Sequence, residues 1–446
     1  FSKIVTYEHH KRYVHDSPSL TIKKILILGG GFAGINVLKK VQDTFEKNVD
    51  VQISLVSEDN FFLFTPMLPE ISSGVIEPRH IATPIRTFCK RARFFEAEVI
   101  QIDLKEKNVT ISRPFDKKTR TLDYDYLVLA LGGRTNFFGN KNLAKYALTI
   151  KTLGDAMSIR NHIITMLESA DQEDDPHVKE KFLTFVIVGG GLAGIEISGE
   201  INDFIKESVE HFYRNIELDK IKVILVSGTA RILSELGDEL SAFATKSLVD
   251  GGIKIISSLK VSDAGPDYVV LEDGTKIETN TLVWAGGVAV DDIIAKLECH
   301  HDKSGRLVVD KYLRIPGYPN VYALGDCAII LDPITKKPYP QTAQHAVREA
   351  KIVANNLISS IHDKPSYQTF SYIGKGTMAK IGKRNGVALL FNHKIHGLFA
   401  WFVWRQYYLS NLPSNSKKFR VALDWAVDFF AKRDIKRLRN LKEKEN

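Results

Sequence analysis

Ile27-Leu28-Gly29-Gly30-Gly31-Phe32-Ala33-Gly34-Ile35 returns further along the chain as Ile187-Val188-Gly189-Gly190-Gly191-Leu192-Ala193-Gly194-Ile195. Each copy follows a short apolar run, Lys24 to Leu28 and Phe185 to Val188, and leads into a helical pattern, so each reads as strand, tight turn, helix. A second strand follows each helix, Val51 to Val56 and Lys222 to Val226, which makes two βαβ units. In such a G-x-G-x-x-G turn the first glycine permits the bend and the second lets a pyrophosphate approach the backbone. The third lets helix and sheet pack closely. The helix N-terminus adds free N–H groups and partial positive charge for the phosphates. One such turn arises readily by chance, whereas two in matched contexts imply two dinucleotide sites.

Working outward, apolar strands resume after the second unit, around Leu282-Val283-Trp284-Ala285-Gly286-Gly287 and Val321-Tyr322-Ala323-Leu324-Gly325-Asp326. The fold class expected is therefore α/β, with two Rossmann-like dinucleotide-binding domains, one inserted in the other. The boundaries expected are an extension over 1–22, a first domain over 23–150 and 286–370, the inserted domain over 151–285, and a C-terminal region over 371–446. Asp171 to Pro176 is a polar stretch and reads as a solvated loop before the second unit.

A carboxylate at the end of the second strand would grip an adenosine ribose. The first unit offers Ser57-Glu58 there, whereas the second offers Ser227-Gly228-Thr229 with Arg231 beyond. Loss of the acid removes a feature favouring NADH, so the second site is expected to tolerate NADPH; the other reading has Ser227 bonding NADH while Arg231 faces solvent.

The chain has 446 residues, 44% of them apolar and 26% charged, which suits a folded protein of two or three domains. Cys89, Cys299 and Cys327 are far apart and form no C-x-x-C pair, which removes zinc clusters, iron–sulfur clusters and a disulfide scaffold and suits a reducing compartment. No metal site is expected; His9-His10 and His300-His301 read as solvated, and His345 is the histidine to watch as a proton carrier. Phe1 to Leu20 carry Glu8 and Asp16 and make a poor signal or transit peptide, and a start on Phe1 suggests trimming or processing.

The net charge of +8 is concentrated: from Phe391 onward there are twelve basic and five acidic residues. Leu398 to Trp404 is apolar all round, and Ala422, Trp425, Ala426 and Phe429 recur at helical spacing with Asp424 and Asp428 on another face. With Lys417, Lys418, Arg420, Lys432, Arg433, Lys436, Arg437 and Arg439 nearby, this pattern predicts an interfacial anchor whose tryptophans sit at headgroup depth on anionic lipid. No run is long enough to cross a bilayer, and no aromatic–basic nucleic-acid module precedes the tail.

The paired glycine turns, Leu129-Ala130-Leu131-Gly132-Gly133, Ala323 to Ala328 and Thr342-Ala343-Gln344-His345-Ala346 together resemble the two-dinucleotide-binding flavoprotein superfamily. Leu63-Phe64-Thr65-Pro66-Met67-Leu68-Pro69 and Lys375 to Gly382 narrow the likeness to type II NADH:quinone oxidoreductases, over roughly Lys23 to Leu438. The resemblance implies a non-proton-pumping enzyme that oxidises NADH, or NADPH, and reduces a membrane quinone by hydride transfer through FAD. It assigns FAD to Gly29, Gly31, Phe32, Ala33, Gly34, Ser57, Glu58, Thr65, Pro66, Gly132, Gly133, Gly325, Asp326, Ala343 and Gln344. It assigns the nicotinamide nucleotide to Gly189, Gly191, Leu192, Ala193, Gly194, Glu196, Ser227 and Gly286. Pro66, Glu196, Gln344 and Arg348 are the expected orienting groups around flavin and substrates. The family signature A-Q-x-A-x-Q marks where flavin and quinone meet; here Arg348 replaces the second Gln. A homodimer is implied, bound peripherally to the cytoplasmic face of a plasma membrane or, in a eukaryote, the inner mitochondrial membrane. A sulfide:quinone oxidoreductase would share fold and tail but needs redox cysteines; a flavin-dependent redox sensor or interaction protein is the remaining alternative.

Overall fold

The computed structural model describes residues 22–362, 366–374 and 376–437. The expected extension, apart from Ile22, lies outside them, as do His9, His10, Lys375 and Arg439. The chain begins with β1 (Lys23–Leu28), α1 (Phe32–Thr44), β2 (Val51–Ser57), α2 (Leu68–Ser72), β3 (Arg93–Glu96) and β4 (Tyr126–Leu129). It continues through β5 (Leu148–Thr149), α3 (Leu153–Gln172), β6 (Thr184–Val188), α4 (Leu192–Phe212), β7 (Lys222–Ser227), β8 (Ile253–Ser257) and β9 (Thr281–Trp284). After β10 (Arg314–Ile315), β11 (Tyr318–Ala323) and α5 (Ala343–Ile361) come β12 (Gly376–Gly382), β13 (Asn385–Leu390), β14 (His393–His396), α6 (Gly397–Asn411) and α7 (Asn415–Phe430).

β1 and β6, the strands before the two glycine turns, lie inside separate sheets. The first is six-stranded in the order β10-β11-β4-β1-β2-β3; the second is five-stranded, β5-β9-β6-β7-β8. Ile25 pairs in parallel register with Ile53 and Tyr126, and Phe185 with Val223 and Thr281. Both strands are apolar runs rather than alternating ones because both faces are covered, as parallel sheets require; Ile25 to Leu28 and Thr184 to Val188 are all buried.

The two crossings between sheets pair with each other. Gly133–Thr135 runs antiparallel to Val288–Val290, bringing the Gly132-Gly133 turn beside the segment after Gly286. β5, at the end of the expected 23–150 segment, pairs with β9 in the second sheet. The loop expected over 171–176 is shorter than its polarity suggested: α3 runs through Gln172, and Pro176 opens another helix, Pro176–Phe182, capped by Asp175. Proline at a first helical position loses only an N–H that would lack a partner anyway.

β12, β13 and β14 form an antiparallel sheet. β12 lies so close to α4 that a Cβ on Gly199 would meet the Ile381 carbonyl carbon at 2.7 Å, so the missing side chain is what admits the C-terminal sheet.

Candidate functional site

The two glycine turns have the same construction. Gly29 and Gly189 have φ of +111° and +137°, and a Cβ on either would strike the backbone of Ala130 or Ala285. A Cβ on Gly34 would lie 1.9 Å from the Gly29 carbonyl oxygen, and one on Gly194 2.0 Å from that of Gly189. Gly31 and Gly191 are different: a Cβ there would meet nothing within 4 Å. They also stand at the N-caps of α1 and α4, where no side chain accepts from the first-turn N–H groups. Open space above unpaired helix donors fits a dinucleotide pyrophosphate in both places.

Around the first cradle, Asp326 follows Gly325, whose φ is +73°, and a Cβ on Gly325 would lie 3.6 Å from the Ala33 Cβ. The Lys151 ammonium is 3.5 Å from the Asp326 carboxylate. Gly325 N–H donates to Glu349 on α5 at 2.8 Å, and burial lifts the Glu349 carboxyl to about 7. Ser57 packs under Gly30, and Glu58, raised by partial burial and then by Asp59, follows it. At the second cradle Ser227 is buried under Gly190 and its hydroxyl pairs with that of Thr229 at 2.9 Å. Arg231 pairs with Asp238 on the surface, while the Lys260 side chain lies against Gly228. Gly286 abuts the Trp284 ring, whose N–H donates to the Asn136 carbonyl at 2.9 Å.

The two cradles are joined by aromatic side chains and one buried acid. Phe32 on α1 packs edge-on to Phe62, centroids 4.9 Å apart, and against Phe64, 5.6 Å away. Phe64 precedes the Thr65-Pro66 turn and meets Tyr408 of α6, which packs on Trp404 at 4.6 Å. Trp404 donates its indole N–H to Glu196 at 2.8 Å, and the Lys380 backbone N–H donates to the same oxygen at 3.1 Å. Burial is the largest influence on Glu196 and raises it to about 8, so the carboxyl is protonated at neutral pH.

Below Glu196 lies a network that the sequence reading missed. The Lys380 ammonium on β12 donates to Glu70 of α2 at 2.6 Å and pairs with Glu200 of α4. All three side chains are buried. Burial works against the Lys380 charge, and Glu200 and Glu70 outweigh it; burial likewise opposes Glu200, and Lys380 and Arg433 hold it below its usual range. Two signals were legible: carboxylates at Glu196, Glu200, Asp203 and Glu207 recurring at helical spacing along α4, and a lysine inside the apolar strand Met378-Ala379-Lys380-Ile381.

Gln344 and Arg348 share one face of α5. Gln344 donates to the Tyr372 hydroxyl at 2.8 Å, and Arg348 donates to the Gln344 backbone carbonyl at 2.7 Å, its guanidinium 4.3 Å from the Tyr372 ring centroid. Ala343 is the first residue of α5, and His345 bonds its capping Thr342 hydroxyl at 2.7 Å. Burial followed by the Arg348 charge lowers the His345 pKa. His301, expected to be solvated, is half-buried and bonds the Ile294 carbonyl at 2.9 Å.

The tail departs from expectation. Trp404 and Trp425 are not at an outer surface: they are 1% and 6% exposed, and Trp425 donates to buried Glu70 at 3.0 Å. Arg433, expected to meet lipid, is buried against Asp428 at 3.0 Å. An indole N–H with a buried carboxylate to satisfy gains more inward than at a wet interface. The outward apolar residues are instead Leu398, Phe399 and Phe402 on α6 and Phe419, Leu423, Val427, Phe429 and Phe430 on α7. Among the described residues no helix is long and apolar enough to cross a membrane.

Residues 23–350 match the pyridine nucleotide-disulphide oxidoreductase family, and 375–434 match the NDH2 C-terminal domain. The chain belongs to this family, in its type II NADH:quinone oxidoreductase branch. It is 32% identical to a probable NADH dehydrogenase of Dictyostelium discoideum, covering 93% of this chain and 91% of that one. It is 30% identical to a type II NADH:quinone oxidoreductase of Mycobacterium tuberculosis, covering 92% and 89%. The solved structure of NDH2 from Plasmodium falciparum in complex with NADH superposes with a TM-score of 0.86 at 25% identity, covering 93% and 99%. The α/β dinucleotide-binding flavoprotein fold is thus common to this oxidoreductase and its relatives.

Proposed function

We propose that the protein oxidises NADH and reduces a quinone, with FAD at the first cradle and the nicotinamide nucleotide at the second. The observation that carries this reading is the continuous contact from one open cradle to the other, through Phe32, Phe64, Tyr408, Trp404 and Glu196. FAD, when bound, accepts hydride from the nucleotide and passes the electron pair on. Gly29, Gly31 and Gly34 with Asp326 are the groups to hold it, and Gly189, Gly191 and Gly194 hold the nucleotide. The residues supply positioning rather than covalent chemistry. Glu196, one turn into α4 and protonated, keeps a dissociable proton beside the nucleotide cradle while Trp404 and the Lys380 backbone fix its orientation. Gln344 and Arg348 on α5 orient the acceptor, and Pro66 shapes the turn between Phe64 and α2. Inserting the second unit, whose sheet begins with β5 at 148–149, into the first sets the cradles on either side of the paired crossing strands.

The same reading places the protein peripherally on a membrane. Eight outward apolar side chains on α6 and α7 share the tail with exposed Arg420, Lys432, Lys436 and Arg437, a combination suited to the acyl boundary and anionic headgroups.

Purified holoprotein given NADH and a short-chain quinone should oxidise one NADH per quinone reduced, and should not turn over sulfide with the same quinone. Sulfide oxidation, or NADH consumption that no quinone accelerates, would refute the assignment. Phe402→Asp with Phe419→Asp should abolish binding to anionic liposomes; unchanged binding would remove the membrane part alone.

A further inference from the structure

Arg348 is a half-buried cation on α5. Its guanidinium carries five N–H donors; one is used on the Gln344 carbonyl and the plane rests on Tyr372. Among the described residues no carboxylate lies within 4.0 Å of it. The other interior guanidinia are treated differently. Arg306 and Arg314 have Asp302 and Asp310 at 2.7 and 2.9 Å, and Arg433 has Asp428 at 3.0 Å. Arg91 donates to three backbone carbonyls. The nearest acid on the same helix, Glu349, is turned away to Gly325.

The groups seen against Arg348 are the Gln344 carbonyl, the Tyr372 ring and, through its charge, the His345 imidazole. Gln344 has its amide N–H on the Tyr372 hydroxyl, which leaves its side-chain carbonyl as an acceptor. The His345 ring packs 5.5 Å from both Tyr339 and Tyr372, and burial, then the Arg348 charge, disfavours its protonation. A rigid fork of donors, held flat by an aromatic ring and lacking an anion, recognises a planar ligand with two neighbouring oxygens that share a negative charge.

We propose that Arg348 makes the acceptor site selective for quinones carrying an ionised ring hydroxyl beside a carbonyl, the 2-hydroxy-1,4-naphthoquinone class. The proposal rests on the assignment of Gln344 and Arg348 to the acceptor. The adjacent carbonyl and oxyanion of such a quinone engage the guanidinium in a bidentate pair. Reduction balances as for a neutral quinone: NADH loses a hydride and becomes NAD⁺, and the quinone gains two electrons and two protons at its carbonyl oxygens. One proton derives from the hydride and one from solvent.

The experiment compares holoenzyme with Arg348→Gln and Arg348→Lys forms of matched flavin content. For each, kcat/KM is measured with 2-hydroxy-1,4-naphthoquinone, ionised at neutral pH, and with 1,4-naphthoquinone. Binding of the hydroxylated quinone to the oxidised, NADH-free protein is measured separately by equilibrium dialysis. Arg348→Gln should lower the ratio of the two kcat/KM values about tenfold or more and weaken binding of the anion by a similar factor, the range for a hydrogen bond to a charged group. Arg348→Lys, which keeps the charge but not the fork, should recover part of each. An unchanged ratio with unchanged dialysis binding overturns the proposal and leaves quinone reduction standing. Failure of the unsubstituted enzyme to reduce either quinone overturns both.

Discussion

Replacing Glu196 by Gln separates the protonation of this buried carboxyl from its hydrogen bonds. Glutamine keeps an oxygen for Trp404 and the Lys380 N–H, which lie 2.8 and 3.1 Å from the glutamate oxygen, and never ionises. In the native protein burial raises Glu196 to about 8 from an ordinary value of 4.5. The unfolded chain therefore releases this proton at lower pH than the folded one, and stability is lost as pH rises from 4.5 through 8. Below 4.5 the contribution is constant. At 1.36 kcal/mol per pH unit, the loss between pH 5.5 and 8 is about 3 kcal/mol. Other ionisable groups are shared by the two proteins, so the difference between their stabilities isolates this one. Urea unfolding of both holoproteins at the two pH values should show Glu196→Gln gaining about 3 kcal/mol on the native protein as pH rises. A gap that stays constant would mean that Glu196 is already ionised in the folded state, and its role as a proton reservoir would fail with it.

Lys380→Met leaves Glu70 and Glu200 buried without their ammonium and should cost about 3–5 kcal/mol in urea unfolding. Adding Glu200→Gln should return part of that loss, whereas additive losses would deny the coupling. Gly34→Ala places a methyl 1.9 Å from the Gly29 carbonyl oxygen, and the purified protein should lose its yellow colour while far-ultraviolet circular dichroism stays near native; full flavin retention would remove Gly34 from the cofactor site. Lys260 lies against Gly228 at the end of β7, where the adenosine ribose is expected. Lys260→Ala should lower kcat/KM for NADPH relative to NADH about tenfold, the scale of one charge-assisted contact; an unchanged ratio would place the lysine outside the ribose pocket.

Much of this architecture was legible because its determinants are local. A glycine turn between an apolar strand and a helix needs only contiguous residues, so Gly29 to Gly34 and Gly189 to Gly194 announce both cradles. The Lys380, Glu70 and Glu200 cluster is the opposite case. Its members come from β12, α2 and α4, more than a hundred residues apart, and no spacing connects them. Trp425 shows how a local pattern misleads. The periodicity through Ala422, Trp425, Ala426 and Phe429 identifies a helix with an apolar side but does not say which side meets the core, and Glu70, which decides that, belongs to another element.

That inversion changes what the tail is for. An anchor whose tryptophans lay in lipid could be removed and leave the chemistry intact, whereas Trp404 and Trp425 end on Glu196 and Glu70. The helices that present Phe402 and Phe419 outward thus use their opposite sides to cover Glu196 on α4 and Glu70 on α2. Deleting residues 400–446 would expose Trp404's partners, leave buried acids without donors and destabilise the site whether or not a membrane is present. The proposed attachment can therefore be tested apart from catalysis only by substitutions on the outward face. Loss of liposome binding in Phe402→Asp with Phe419→Asp, with the Glu196 pH linkage intact, is the result this arrangement requires.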